Sequence, residues 1–153
     1  MEDFMLLKNQ LCFAVYETAS EFNKLYTGAL QPYGLTYPQY LVLLALWEKA
    51  GVTVKDLGEK LSLGTGTLTP MLTRMEANGW IRKERSKADE RKVYIHLEMK
   101  ALEEKQAIIK TISEKIQSCS IELVEYKLLM DGLHQLNIKL KEREHYHYNN
   151  DSR

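Results

Sequence analysis

The segment 53–97 constrains the fold of this 153-residue chain more than any other stretch. Its first part, 53–61, has apolar residues at steps of three and four, as an amphipathic helix does. A tight turn rich in Ser, Gly and Thr follows at 62–66. A second helical pattern then continues to Asn78-Gly79, a pair that favours a left-handed helix stop. The sequence therefore predicts two short helices joined by a tight turn.

The rest of this segment predicts a β-hairpin. Two β-like runs, 80–85 and 92–97, are joined by the charged loop 86–91. Two helices followed by a hairpin are typical of a winged helix-turn-helix, whose second helix enters the major groove of DNA. We therefore expect a mainly α fold with a small β-hairpin wing.

The second helix of this unit divides into an apolar face and a hydroxyl-rich face. Its predicted inward stripe is Leu68, Met71, Leu72 and Met75. The other side carries Thr65, Thr67, Thr69, Thr73 and Arg74. Small hydroxyls and an Arg suit base edges in the major groove, and a Thr methyl can contact thymine. Pro70 is expected near the helix start, where a missing N–H costs little. The alternative is that the hydroxyl-rich turn is only a turn.

The hairpin is locally basic in a chain that is neutral as a whole. Because 21 Lys and Arg balance 21 Asp and Glu, any nucleic-acid binding must rely on a local patch. Residues 74–92 hold seven basic against four acidic side chains, an excess of three that suggests phosphate contacts. Arg91 lies where the loop could carry it into the minor groove. Its alternative role is an exposed ion pair with Asp89 or Glu90.

Two motifs of this segment together resemble the MarR family of transcriptional regulators. They are the run GTGTLTPML at 64–72 and the triplet Asp89-Glu90-Arg91. The resemblance implies a homodimeric repressor that binds palindromic double-stranded DNA, with the second helix in the major groove and the wing Arg in the minor groove. The predicted DNA-binding residues are Thr65, Gly66, Thr67, Thr69, Pro70, Thr73, Arg74, Arg85, Lys87, Asp89 and Arg91.

Size and composition are those of one globular domain, 1–153. Hydrophobic residues make up 44% and charged residues 27%, an ordinary balance for such a domain. No apolar run approaches the roughly 20 residues of a membrane span, and the N-terminus lacks the pattern of a signal peptide. We expect a cytoplasmic protein, in which the two cysteines are more often reduced than joined in a standing disulfide.

Helical patterns on both sides of 53–97 form the expected dimerisation and sensor part, 4–49 and 98–144. The predicted helices cover 4–31, 38–49, 98–118 and 122–144. Long apolar stripes on the outer helices need a partner surface, and a second copy would bury them. A twofold dimer would also place two recognition helices roughly 34 Å apart, one turn of DNA.

Cys12 lies on the first predicted helix, with Tyr16 one turn beyond it on the same face. A lone Cys of this kind is most often a small core hydrophobe, with neighbouring tyrosines as packing residues. The run NQLCF around Cys12 and the run LTYPQYL at 35–41, however, closely resemble the organic hydroperoxide sensors (OhrR type) of the MarR family.

That resemblance implies roles for particular residues. Cys12 would be the peroxide-sensing thiol, and Tyr26 and Tyr37 would hydrogen-bond its sulfur, with Tyr26 reaching the Cys of the partner subunit. Only a thiolate attacks a peroxide O–O bond, and phenol donors stabilise that anion. The resulting sulfenic acid needs a second nucleophile. Cys119 would supply it in a two-Cys sensor; the alternative is a buried structural Cys.

The sequence therefore predicts a redox-sensing repressor released when organic hydroperoxide oxidises Cys12. The alternative is a MarR-type repressor released by non-covalent binding of a small aromatic ligand. An enzyme is not expected, because there is no CxxC and no paired catalytic His. No cofactor is expected, and His145 and His147, without nearby acids or Cys, make a weak metal site, so no metal is predicted either.

Overall fold

A computed structural model describes the backbone of residues 2–148 and the side chains of 3–143. In chain order the elements are α1 (Leu11–Leu30), α2 (Tyr37–Glu48), β1 (Val52–Thr53), α3 (Val54–Leu61), α4 (Thr65–Ala77), β2 (Ile81–Arg85), β3 (Val93–Leu97), α5 (Met99–Glu103), α6 (Lys105–Ser118) and α7 (Leu123–Tyr148). The predicted mainly α fold with a small β wing is confirmed. The chain divides into two compact units, one ending at Lys115 and the other beginning at Ile116. The single-domain organisation stays a prediction.

The small sheet has one strand more than the sequence predicted. β2 and β3 pair antiparallel as the expected hairpin, with Lys83 opposite Ile95. The two-residue β1 adds to the other side of β3, where Val52 faces Ile95, so the strand order is β1-β3-β2. Because β1 is so short and pairs only with a distant strand, local periodicity gives no sign of it.

The core of the first unit lies where α2 and α4 meet the sheet. The predicted inward stripe of α4 is buried throughout, and most of the apolar run of α2 is buried as well. The largest fully buried side chains include Leu30, Leu43, Leu46, Leu57, Leu68, Leu72, Met75, Trp80, Ile81, Ile95 and Ile108. Burying such side chains stabilises a fold by roughly 1.5–3 kcal/mol each, so this core fixes the position of α4.

The first predicted helix begins seven residues later than expected. Two short 3-10 turns, Glu2–Met5 and Leu7–Asn9, come before it instead, and α1 starts at Leu11 after an extended Gln10. The Asn9 side-chain amide donates to the Asp3 carbonyl at 2.6 Å, and the Gln10 amide donates to the Phe4 carbonyl. These side chains compete with the helical backbone pattern, which is why the apolar period alone misplaced the start.

The second predicted helix is confirmed to within a residue at each end. Thr36 caps α2 by accepting a hydrogen bond from the Gln39 N–H, and the Gln39 side chain accepts from the Thr36 N–H, which completes a capping box. Pro38 is the second helical residue, where its missing N–H leaves no bond unmade.

The position of Pro70 differs from the prediction. α4 starts at Thr65 after the extended Gly64, so Pro70 is its sixth residue and lies inside the helix. The bond that a residue there would donate to the Gly66 carbonyl is therefore missing. The predicted stop is confirmed, because Gly79 has a φ of +77° and the Trp80 N–H closes the turn on the Met75 carbonyl at 3.0 Å.

The predicted helix 98–118 is two helices, α5 and α6, that break at Glu104. The Ala101 carbonyl, whose helical partner would be the Lys105 N–H, accepts a hydrogen bond from the Trp47 indole at 3.1 Å. Of the expected apolar stripe, Ile108 and Ile112 are buried, but Leu102 of α5 is exposed.

Apolar side chains remain exposed at both ends of the described chain. Near the N-terminus they include Phe4, Met5, Leu7, Leu11 and Val15, and along α7 they include Leu123, Val124, Leu128, Leu129, Leu133 and Leu140. Within the described residues, no helix has both the length and the apolar character that crossing a membrane requires. The side chains of His145 and His147 lie outside those that the structure describes.

Candidate nucleic-acid interface and thiol site

α4 presents its hydroxyl-rich face to solvent. Its four buried side chains fix the rotation of the helix about its axis. The predicted outward residues are all exposed: Thr65, Gly66, Thr67, Thr69, Pro70, Thr73 and Arg74. Gly64 precedes the helix without a side-chain cap, so the N–H groups of Thr65 and Gly66 have no side-chain acceptor at this exposed end.

The wing loop is braced by its own polar groups. The Ser86 N–H donates to the Lys92 carbonyl at 2.9 Å, and the Lys92 N–H donates to the Asp89 carbonyl at 2.9 Å. The Ser86 hydroxyl accepts from the Asp89 N–H at 3.2 Å. Arg85 donates to the Glu90 carbonyl at 2.8 Å, which ties the strand end to the far side of the loop. Lys87 is exposed at this loop.

Arg91 makes the predicted ion pair with Asp89 and stays accessible. Its backbone N–H and its Nε both lie 3.1 Å from Asp89 Oδ1. These hydrogen bonds from Arg91 hold the pKa of the Asp89 carboxyl below its usual range. The Arg91 side chain is nevertheless 92% exposed. Asp89 therefore orients a guanidinium that still points into solvent.

A groove of about 860 Å³ lies between the start of α3, the exposed face of α4 and the wing. It brings together five predicted DNA-binding residues: Thr65, Thr69, Arg85, Asp89 and Arg91. The other six are exposed but do not line it: Gly66, Thr67, Pro70, Thr73, Arg74 and Lys87. Lys55, Lys83 and Lys92 line the groove and were not predicted as site residues. Lys83 and Lys92 entered the sequence prediction only as two of the seven basic residues counted in 74–92.

Cys12 is a free, exposed thiol on the first turn of α1. Tyr16, one turn further along, is 73% exposed. Among the residues that the structure describes, none makes a hydrogen bond to the Cys12 sulfur. The thiol is thus accessible to an oxidant and lies beside exposed apolar side chains such as Leu11 and Val15.

Tyr26 and Tyr37 are stacked on each other, away from Cys12. Their ring centroids are 4.4 Å apart with planes at 18°, and Tyr40 lies 5.8 Å from Tyr26. Cys12 and Tyr26 are both in α1, separated by 14 residues (26 minus 12), which is roughly 21 Å along a helix. One chain therefore does not bring its own Tyr26 and Tyr37 to its own Cys12.

Cys119 lies where the sequence placed it, in the turn between α6 and α7. It is exposed, which differs from the alternative of a buried structural Cys. The next residue, Ser120, has a φ of +55°, in the left-handed region, so α6 does not continue through this turn.

Comparisons with known proteins agree with this architecture. The family model described as transcriptional regulator SarA/Rot matches residues 24–109. The HTH-type transcriptional regulator MgrA of Staphylococcus aureus is 40% identical over 138 residues, which cover 90% of this chain and 89% of MgrA. The organic hydroperoxide resistance transcriptional regulator of Bacillus subtilis is 54% identical over 95 residues, 62% of this chain and 65% of that protein. The HTH-type transcriptional regulator TtmR of Methylorubrum extorquens is 52% identical, but the match spans only 49% of its length.

Solved structures of AbfR from Staphylococcus epidermidis are also similar. Reduced AbfR bound to DNA is 38% identical, with a TM-score of 0.80 over 93% of this chain and 100% of that chain. Disulfide-formed AbfR is 37% identical, with a lower TM-score of 0.67 over 94% of this chain and 96% of that chain. Winged-helix architecture, family match and full-length similarity agree, and the chain belongs to the MarR/SarA-type winged-helix transcriptional regulators.

Proposed function

We propose that this chain is a dimeric repressor that binds palindromic double-stranded DNA and is released when organic hydroperoxide oxidises Cys12. The DNA-binding part of this proposal rests on one observation. Exposed Thr65 and Thr69 of α4 line the same groove as Arg85 and Arg91 of the wing. A helix with small hydroxyls fits a major groove, and an exposed, oriented Arg fits the adjacent minor groove. A cytoplasmic location follows from this role.

The exposed apolar side chains of the N-terminal region and α7 support a dimer. Side chains such as Phe4, Leu11 and Leu128 are more than half exposed. Each would stabilise an interface by about 1 kcal/mol or more on burial, because the gain follows the apolar area removed from water. A second copy related by a twofold axis covers them and sets the spacing of two recognition helices.

The redox half of the proposal rests on Cys12 and on similarity to the organic hydroperoxide resistance regulator. A Cys12 thiolate attacks the peroxide, the O–O bond breaks, and the products are a Cys12 sulfenic acid and an alcohol after uptake of one proton. Because α1 separates Cys12 from Tyr26 of the same chain, the Tyr26 phenol that stabilises this thiolate comes from the second subunit, together with Tyr37, which is stacked on it. Tyr16, one turn from Cys12 on the same helix, can act within the same chain.

In the two-Cys version of the proposal, Cys119 resolves the sulfenic acid. The Cys119 thiolate attacks the oxidised sulfur, a disulfide forms, and hydroxide leaves as water after protonation. Exposure of both sulfurs supports this step. A covalent bond present in only one of two states can shift a DNA-binding equilibrium by the few kcal/mol that release requires.

The experiment is selection of a duplex from a randomised pool by the reduced protein, followed by treatment with cumene hydroperoxide and mass spectrometry. We expect a palindromic duplex, its release, and a Cys12–Cys119 disulfide. Failure to select any duplex refutes the DNA-binding proposal. A small-thiol adduct on Cys12, together with a reduced Cys119, refutes only the two-Cys version. Insensitivity to peroxide favours release by a small aromatic ligand instead.

A further inference from the structure

Lys83 lies in the basic wing but has its charge and hydrogen bonds directed toward the recognition helix. Its backbone N–H donates to Glu76 Oε1 at 2.8 Å, and its Nζ lies 3.5 Å from Glu76 Oε2. The same Nζ donates to the Thr73 hydroxyl at 3.1 Å. The Lys83 side chain is only 27% exposed, against 92% for Arg91. Three contacts thus join one strand residue to two residues of α4.

The sheet topology explains why this contact matters for geometry. β2 is an edge strand, since the strand order is β1-β3-β2. An edge strand has backbone donors with no strand to pair with. Glu76 satisfies one of these donors at Lys83, in the middle of β2, and so docks α4 onto the edge of the wing. This contact therefore joins the recognition helix directly to the wing hairpin, outside the buried core.

The cluster also settles what Thr73 can offer a base. The Thr73 hydroxyl donates to the Thr69 carbonyl at 3.0 Å and accepts from Lys83 Nζ. A hydroxyl has one proton to donate. Thr73 therefore has no proton left for a base acceptor and presents its methyl group, which suits a thymine methyl.

We propose that Lys83 is a positioning residue that clamps the wing to the recognition helix through Glu76 and Thr73, and that it contributes no phosphate contact. This assignment rests on the proposed DNA-binding function but not on its redox half. Lys87 is the matched comparison, because it is an exposed wing lysine whose ammonium makes no hydrogen bond or ion pair within the described part of the chain.

The salt dependence of DNA binding separates the two roles. Each lysine that neutralises a phosphate contributes about 0.9 to the slope of log affinity against log salt. We expect Lys83→Met to lower affinity for the selected duplex about five- to tenfold with an unchanged slope, because a wing that is no longer clamped must be ordered when DNA binds. Lys87→Met should reduce the slope by about 0.9. Fluorescence anisotropy between about 50 and 200 mM KCl measures both.

A second pair of variants keeps the test independent of how well Lys83→Met folds. Thr73→Val keeps the methyl and removes only the hydroxyl that Lys83 holds, so its effect on affinity and that of Lys83→Met should be non-additive. Thr73→Ser keeps the hydroxyl but should lose affinity for duplexes with thymine at the contacted position. A Lys83→Met slope reduced by about 0.9, or additive effects with Thr73→Val, overturns the assignment. A wild-type protein that selects no duplex overturns the proposed function itself, and this assignment with it.

Discussion

Pro70 provides a test of whether α4 carries strain at its DNA-facing surface. It is the sixth residue of α4, exposed, and its ring replaces the N–H that would bond to the Gly66 carbonyl. Pro70→Ala restores that N–H. A helix-interior Pro is about 3 kcal/mol less favourable than Ala, and the restored hydrogen bond alone is worth about 0.5–1.5 kcal/mol.

The opposing contribution comes from the unfolded chain, which Pro restricts by about 0.4–1 kcal/mol. We therefore expect Pro70→Ala to raise the free energy of unfolding by about 2–2.6 kcal/mol, the difference between these two terms, equivalent to about 4–10 °C in Tm for a chain of this size. Urea titration followed by circular dichroism measures the change.

Pro38 is the control within the same chain. It is also exposed, but it is the second residue of α2, where an N–H would have no helical partner. Pro38→Ala should therefore lower the free energy of unfolding by about 0.4–1 kcal/mol, the opposite sign. If Pro70→Ala leaves stability unchanged or lowers it while Pro38→Ala raises it, the account of α4 as a strained helix is wrong.

Two further predictions concern single contacts. Trp47→Phe removes the indole N–H that donates to the Ala101 carbonyl at 3.1 Å. It should lower the free energy of unfolding by about 1 kcal/mol in the same urea assay. An unchanged urea midpoint would exclude this contact as a contributor to stability. Hydrogen bonds from Arg91 lower the pKa of Asp89. The stabilisation from this pair is therefore fully present at pH values above the ordinary Asp pKa near 4, and it is lost as the pH falls through the lowered pKa of Asp89 in the folded protein. Arg91→Ala should move the pKa of Asp89 back toward its usual range in a carboxyl carbon NMR titration, and no movement would contradict the pairing.

The parts of the fold set by neighbouring residues were predictable from sequence. The buried stripe of α4 follows from its period, and the stop at Gly79 follows from a residue that tolerates positive φ. The start of α2 follows from Thr36 and Pro38. In each case the determining groups lie within four residues of the feature.

Features fixed by distant groups were not predictable in this way. Beside the break at Glu104, the Ala101 carbonyl accepts a hydrogen bond from the indole of Trp47, a residue 54 positions away. Local pattern holds no sign that β1 pairs with β3, or that Lys83 faces Glu76 rather than solvent. These depend on tertiary packing, which overrides local pattern.

The thiol site shows a limit of a different kind. The roles of Cys12, Tyr26 and Tyr37 came from resemblance, and Tyr16 was named because it lies one helical turn from Cys12. The distances from Cys12 to Tyr26 and Tyr37 came from neither. The rise of a helix already separates Cys12 from Tyr26 by roughly 21 Å, so the expectation that Tyr26 acts across subunits is the one consistent with α1. Tyr37 is stacked on Tyr26, so it is also far from Cys12 of its own chain.

Release of DNA by peroxide, compared between the wild-type protein and Cys12→Ser, tests the central claim most directly. Both reduced proteins should bind the selected duplex with the same affinity, since Cys12 lies outside the groove between α4 and the wing. Cumene hydroperoxide should release the wild-type protein from DNA, a reductant should restore binding, and Cys12→Ser should stay bound throughout. Release of Cys12→Ser by peroxide at the wild-type dose would contradict the account.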